Sequence, residues 1–141
     1  MTAATLTIDL RALRQNWRKL ADMVAPAECA AVVKADGYGC GLERVVGALT
    51  AEGCRTFFVA RLSEGLRARA AAVEATIYVL DGLLPGAGAE MRQAGLQPAL
   101  GSLPEIAEWA AGGGGAAAAA FGTGMKRPGV ALRDAPAALA P

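Results

Sequence analysis

The sequence predicts an α/β fold in which a parallel sheet is covered by helices. Three observations predict it. Short apolar, β-branched runs alternate with amphipathic stretches at helical spacing along the 141 residues. The units repeat at a size that implies right-handed crossovers between parallel neighbours. With 54% hydrophobic residues, 19% charged residues and a net charge of +1, the composition is that of an ordinary globular chain of one domain at most. The pattern alone leaves two architectures open: a doubly wound sheet, or a piece of a (β/α)8 barrel.

Each element has its own justification. Thr5 to Ile8 is a short strand candidate, followed by Leu10, Leu13, Trp17 and Leu20 on one helical face with charges between them. Ala30 to Lys34 is the next strand. After a glycine-rich turn, Leu42, Val45, Val46 and Leu49 form an apolar stripe that Gly53 closes as a helix C-terminus. Thr56 to Val59 reads as a buried strand, Leu62 to Ala72 as a helix opened by Ser63 and Glu64, and Thr76 to Leu80 as a strand. Gly86 to Ala94 reads as a helix stopping at Gly95, and Pro98-Ala99-Leu100 as a short strand. Ser102-Leu103-Pro104-Glu105 is a capping box for a helix carrying Ile106 and Trp109. From Ala110 to Ala120 only alanine and glycine occur. A strand is expected there from residues with little apolar area and a high ordering cost, so this segment is predicted to be the least ordered.

Composition also excludes several classes. A near-neutral charge does not suit electrostatic nucleic-acid binding. No apolar stretch reaches the roughly 18 residues of a membrane span, and the amino terminus lacks a secretory pattern, so a cytoplasmic setting is expected. Cys29, Cys40 and Cys54 are odd in number, form no C-x-x-C, and stand in a chain without histidine. They read as reduced thiols, with neither a disulfide framework nor a zinc site expected.

The most informative segment is Ala31-Val32-Val33-Lys34-Ala35-Asp36-Gly37-Tyr38-Gly39-Cys40-Gly41. Lysine is scarce here: Lys19, Lys34 and Lys126 are the whole set. A lysine ending a β-branched run calls for a reason, because a desolvated amine has its pKa pushed down and becomes a nucleophile toward an aldehyde. Taken alone, Lys34 would read as a stem packed on a sheet edge with its amine in solvent, and Asp36 as a solvated turn residue. The glycines could suggest a dinucleotide loop, but Leu42 stands where the third glycine of G-x-G-x-x-G belongs.

The run closely resembles the cofactor-lysine signature of alanine racemases, with a tyrosine four residues after the lysine. The resemblance implies that Lys34 condenses with the aldehyde of pyridoxal 5'-phosphate and serves as one of two proton-transfer bases, and that Tyr38 helps hold the cofactor phosphate. Cys40 stands where the family commonly has histidine. A second segment, Phe121-Gly122-Thr123-Gly124-Met125-Lys126-Arg127-Pro128-Gly129, is similar to the family's T-G-M-x-R-x-G core after the fifth strand. There Arg127 would face the cofactor's phenolic oxygen and the substrate carboxylate, a task suited to a planar, permanently charged guanidinium. Gly122 replaces the family's usual aspartate, and Ala120 replaces a lysine, histidine or asparagine that supports the arginine. Asp9-Leu10 with Leu13 and Asn16 also resembles the family's first helix.

The resemblance favours the barrel, and both motif loops follow strands directly, at the face where barrel enzymes place their sites. The expected fold is therefore a partial (β/α)8 TIM barrel of about five βα units, truncated relative to the roughly 250 residues of a complete one. Residues 1–141 would be the amino-terminal part of an alanine racemase-like barrel, with the family's carboxyl-terminal β domain absent. The implied activity is pyridoxal-phosphate-dependent interconversion of L- and D-alanine, an isomerase step in D-alanine biosynthesis for the cell wall. The implied partners are an amino-acid substrate and, for a complete member, a second subunit of a homodimer, with neither nucleic acid nor membrane. The second acid–base group, a tyrosine from the partner subunit's β domain, has no counterpart here, so the chain is expected to be inactive or incomplete by itself. Two further readings stay open: a vestigial cofactor-binding protein without turnover, and a single-barrel pyridoxal-phosphate carrier.

Overall fold

A computed structural model describes residues 4–125, 127 and 129–139. Five strands, β1 (Ala31–Val32), β2 (Thr56–Val59), β3 (Thr76–Val79), β4 (Gln97–Leu100) and β5 (Ala118–Ala119), form one sheet in the order β1-β2-β3-β4-β5. Every pairing in it is parallel. A doubly wound sheet reverses its strand order at a switch point. This sheet never reverses, so it is a wall of a barrel, as the sequence predicts. Beyond it, β6 (Phe121–Gly122) and β7 (Val130–Ala131) pair in parallel. Ala120 joins the two sheets, donating to Leu100 O at 2.8 Å and accepting from Val130 N at 2.8 Å.

Helix α1 (Leu10–Val24) precedes β1, the helices α3 (Leu42–Glu52), α4 (Leu62–Ala71), α5 (Gly88–Gln93) and α6 (Leu103–Ala111) fill the crossovers, and α7 (Ala135–Ala138) follows β7. A further element, α2 (Lys34–Tyr38), is a single turn wound left-handed, and a 3-10 turn at Leu132–Asp134 leads into α7. The expected stripe on α3 is the buried one, Leu42, Val45, Val46 and Leu49, and Gly53 caps it. These side chains meet Phe57, Val59, Ile77 and Val79 from the helix-facing side of the sheet. Phe57, Ile77 and Val46 are fully buried, each stabilising the fold by roughly 1.5–3 kcal/mol relative to exposure. Strands β2, β3 and β4 alternate strictly, so Phe58, Tyr78 and Ala99 look to the opposite, barrel-interior face, where they are half-buried.

Several boundaries differ from expectation. Residues 5–8 form no strand: Leu6 is 79% exposed, and no neighbour pairs with the segment among the described residues. Its alternation instead leads into α1, whose N-cap Asp9 accepts from Arg11 N at 2.9 Å and Ala12 N at 3.0 Å. Strand β1 ends at Val32 rather than at Lys34. The capping box at α6 is half realised, since Ser102 Oγ accepts from Glu105 N at 3.3 Å but Glu105 turns to Gly101 N at 2.8 Å. The alanine tract does supply a strand, because Ala118 and Ala119 pair with Ala99 and Leu100 of β4.

Candidate active site

The amine of Lys34 is carried by a backbone fixed in the core. Val33 is 1% exposed, and its N–H donates to Phe58 O at 2.8 Å. Val33 is buried under the helices, and the next residue, Lys34, stands on the other side of the sheet, facing the barrel interior with Ala60, Leu80 and Ala99. There it is half-buried and lines an open cleft of about 530 Å³. Val32, Phe58, Tyr78 and Gln97 stand in register across β1 to β4. The cleft's floor is the next layer along those strands, Lys34, Ala60, Leu80 and Ala99, joined by Ala120. It lies at the carboxyl ends, where a barrel presents its loops. Asp81, Leu84 and Arg127 supply the rim. Lys34 and Arg127, far apart in sequence, thus share one cleft.

Tyr38 is placed differently. It closes the left-handed turn, is 63% exposed, and does not line the cleft. Ala35, Asp36, Gly37 and Tyr38 have φ of 53°, 56°, 63° and 53°. Only glycine adopts such values freely; each residue with a Cβ costs about 1–2 kcal/mol. The turn is closed by Gly37 N to Val33 O, Gly39 N to Ala35 O and Gly41 N to Asp36 O, all at 2.9 Å.

Side chains from α4 fasten the same turn. Glu64 accepts from Ala60 N at 2.9 Å and Arg61 N at 3.3 Å with Oε2, and from Asp36 N at 3.4 Å with Oε1. Burial pushes the Glu64 carboxyl up, but the N–H groups of Ala60, Arg61, Asp36 and Ala35 outweigh it and hold the group below its ordinary value. Arg67 donates to Asp36 Oδ1 at 2.7 Å and, in a two-pronged contact, to Glu43 at 2.5 and 2.8 Å. The guanidinium depresses both carboxylates, with Leu42 N adding to the effect on Asp36. Asp36 is therefore exposed but engaged, rather than the merely solvated residue that the sequence suggests. Nothing in the local sequence signals the reach of Glu64 beyond its helix-opening position.

In the second motif Arg127 is exposed on the cleft rim, while Lys126 and Pro128 lie outside the described residues. Gly129 has a plain steric reason: a Cβ there would stand 2.8 Å from Gly122 N and 3.0 Å from Phe121 C, inside the β6–β7 pair. The expected support for Arg127 is missing at Ala120, which reaches the cleft with a methyl group only.

Residues 8–141 match the family profile described as alanine racemase, N-terminal domain. The chain belongs to the alanine racemase family. An alanine racemase of Methylobacterium sp. (strain 4-46) is 62% identical over 108 residues, covering 77% of this chain and 30% of that protein. An alanine racemase of Brucella ovis is 44% identical over 135 residues, covering 92% of this chain and 34% of that one. Among solved structures, the alanine racemase of Bartonella henselae with covalently bound pyridoxal phosphate superposes with a TM-score of 0.84 at 38% identity, over 89% of this chain and 38% of that one. The chain thus spans about a third of the length of the curated alanine racemases it matches.

Other chemistry finds less support among the described residues. No cluster of histidine, cysteine, aspartate and glutamate could hold a metal ion. The cysteines are free, and burial pushes the Cys54 thiol up to about 11, which makes it a poor nucleophile. No described helix is long and apolar enough to cross a membrane.

Proposed function

We propose that this chain is the amino-terminal part of a cytoplasmic, pyridoxal-phosphate-dependent racemase that interconverts L- and D-alanine. The observation that carries the reading is the cleft itself, which an amine and a guanidinium share over a floor built largely of alanines in a member of the alanine racemase family. The residues fit the cofactor. Ala60, Ala99 and Ala120 leave room for a flat ring, Lys34 offers the group that condenses with an aldehyde, and Arg127 offers a cation to an anionic oxygen.

Lys34 would hold the cofactor covalently and, once substrate displaces it, take or return the α-proton on one face. Arg127 would orient the substrate carboxylate and polarise the phenolic oxygen. Tyr38, outside the cleft walls, would steady the phosphate from the turn. When bound, pyridoxal phosphate supplies an electron sink for the charge that proton removal leaves on the α-carbon. Inverting the centre also needs an acid–base group on the opposite face, which these residues do not offer. The 141-residue chain is therefore expected to bind the cofactor without sustained turnover, and in a complete protein a homodimer would build the second half of the site.

The test is to incubate the chain with pyridoxal phosphate, reduce with borohydride and map the modified peptide. Modification at Lys34, lost in Lys34→Ala, supports the reading; modification spread evenly over the lysines sinks it. Ala120 favours a second reading, a vestigial protein that binds the aldehyde but never turns over. Racemisation by this sequence joined to the remaining barrel and β domain of a relative would reject that one.

A further inference from the structure

We propose that Glu64 and Arg67, neighbours on one face of α4, are positioning residues that set the Lys34 amine by holding the left-handed turn after it. The inference rests on Lys34 being the aldehyde-binding amine. Neither side chain lines the cleft, so neither is a catalytic residue.

Both converge on Asp36. Glu64 takes its backbone N–H at 3.4 Å, and Arg67 takes its carboxylate at 2.7 Å, so the residue is gripped by main chain and side chain together. The other oxygen of Glu64 holds Ala60 N at 2.9 Å, and Ala60 is part of the cleft floor. One carboxylate therefore ties the rim of β2 to the turn that begins at Lys34. Arg67 extends the tie to the first turn of α3 through Glu43, and Leu42 N donates to Asp36 Oδ1 at 3.2 Å. The grip answers a specific need. Ala35, Asp36 and Tyr38 all carry a Cβ in left-handed geometry, and a turn released into right-handed geometry would swing Lys34 and Tyr38 away from their present directions. The two residues sit three apart, so one helical face delivers both contacts.

The test uses the whole 141-residue chain as parent, Glu64→Ala, Glu64→Gln and Arg67→Ala. Each is treated with pyridoxal phosphate and borohydride, and peptide mapping gives the ratio of modified Lys34 to modified Lys19, an exposed lysine on α1 that reports general amine reactivity. Amide exchange is read in parallel at Gly37, Gly39 and Gly41, with Ile77 and Val79 of β3 as the fold reference. Both alanine variants are expected to lower the ratio by roughly tenfold, as displacement of a reacting group does. They should also speed exchange at the three glycines and leave Ile77 and Val79 unchanged. Glu64→Gln, which keeps an acceptor for Ala60 and Arg61, should retain part of the ratio. A parent-like ratio in both alanine variants would overturn the assignment, as would parent-like exchange at the glycines or equal acceleration at Ile77 and Val79. A parent that modifies Lys34 no more than Lys19 would count against the cofactor reading instead, and glycine exchange alone would then decide whether α4 holds the turn.

Discussion

Phe58 and Tyr78 stack with ring centroids 5.0 Å apart and planes 16° from parallel, one layer below the floor that carries Lys34. They are register partners on the half-buried face, so the stack ties β2 to β3 where helices do not. A double-mutant cycle with Phe58→Leu and Tyr78→Leu should give a coupling of about 0.5–1.5 kcal/mol in denaturant unfolding. Additive single effects would show that the rings contribute burial only.

Gly37 has two separate reasons to be glycine: φ of 63° and a would-be Cβ 3.2 Å from Val45 Cγ2. Gly39, with φ of 81°, has open space around it. Gly39→Ala is expected to cost about 1–2 kcal/mol from backbone strain alone. Gly37→Ala should cost more, because Val45 is fixed in the core. Urea midpoints of the two variants, compared with the parent, give the ordering, and equal losses would show that Val45 yields freely.

Glu52 is nearly shielded, its side chain 8% exposed, and accepts from Arg14 at 2.6 Å and from Arg18. The Arg14 and Arg18 hydrogen bonds hold its carboxyl below the ordinary 4.5. A carboxylate depressed in the folded state contributes stability that is complete above its unfolded pKa and disappears as pH falls through the folded one. The double variant Arg14→Gln/Arg18→Gln should therefore be less stable than the parent at neutral pH, with the gap closing as pH drops below 4.5. Thermal melts in low salt across that range would show it. A gap that persists in acid would mean that the arginines act through packing of their stems on α1.

Strand β5 is two alanines at the end of the five-stranded sheet, preceded by glycines at positive φ. Amide exchange across 116–121 should be far faster than in β3, since these residues bury little apolar surface. Protection equal to that of Ile77 would overturn this expectation.

Where an element is written by its own residues, the sequence was readable. The stripe from Leu42 to Leu49 declares α3, and the short apolar, aromatic and β-branched runs at Thr56–Val59 and Thr76–Val79 declare two buried strands. Where a distant partner decides, it was not. Thr5–Ile8 has strand-like residues and no strand beside it, whereas the strand expected within Ala110–Ala120 is present, its position at Ala118–Ala119 fixed by pairing with β4 and not by its own residues. The same division runs through the cleft. Lys34 and Arg127 stand out by residue type and by their motifs, but Ala60, Leu80 and Ala99 are anonymous until the register aligns them. Only Gly37 and Gly39 hint at five successive positive φ values, and the α4 side chains that hold the turn lie 28 and 31 positions from Asp36.

A strand order that never doubles back also bears on assembly. Each strand finds its predecessor already next to it, so no segment has to wait for a remote partner or thread past one, and the search at each step is short. The elements that fix the amine's backbone, β1, β2, α3 and α4, are all synthesised ahead of the loop bearing the guanidinium.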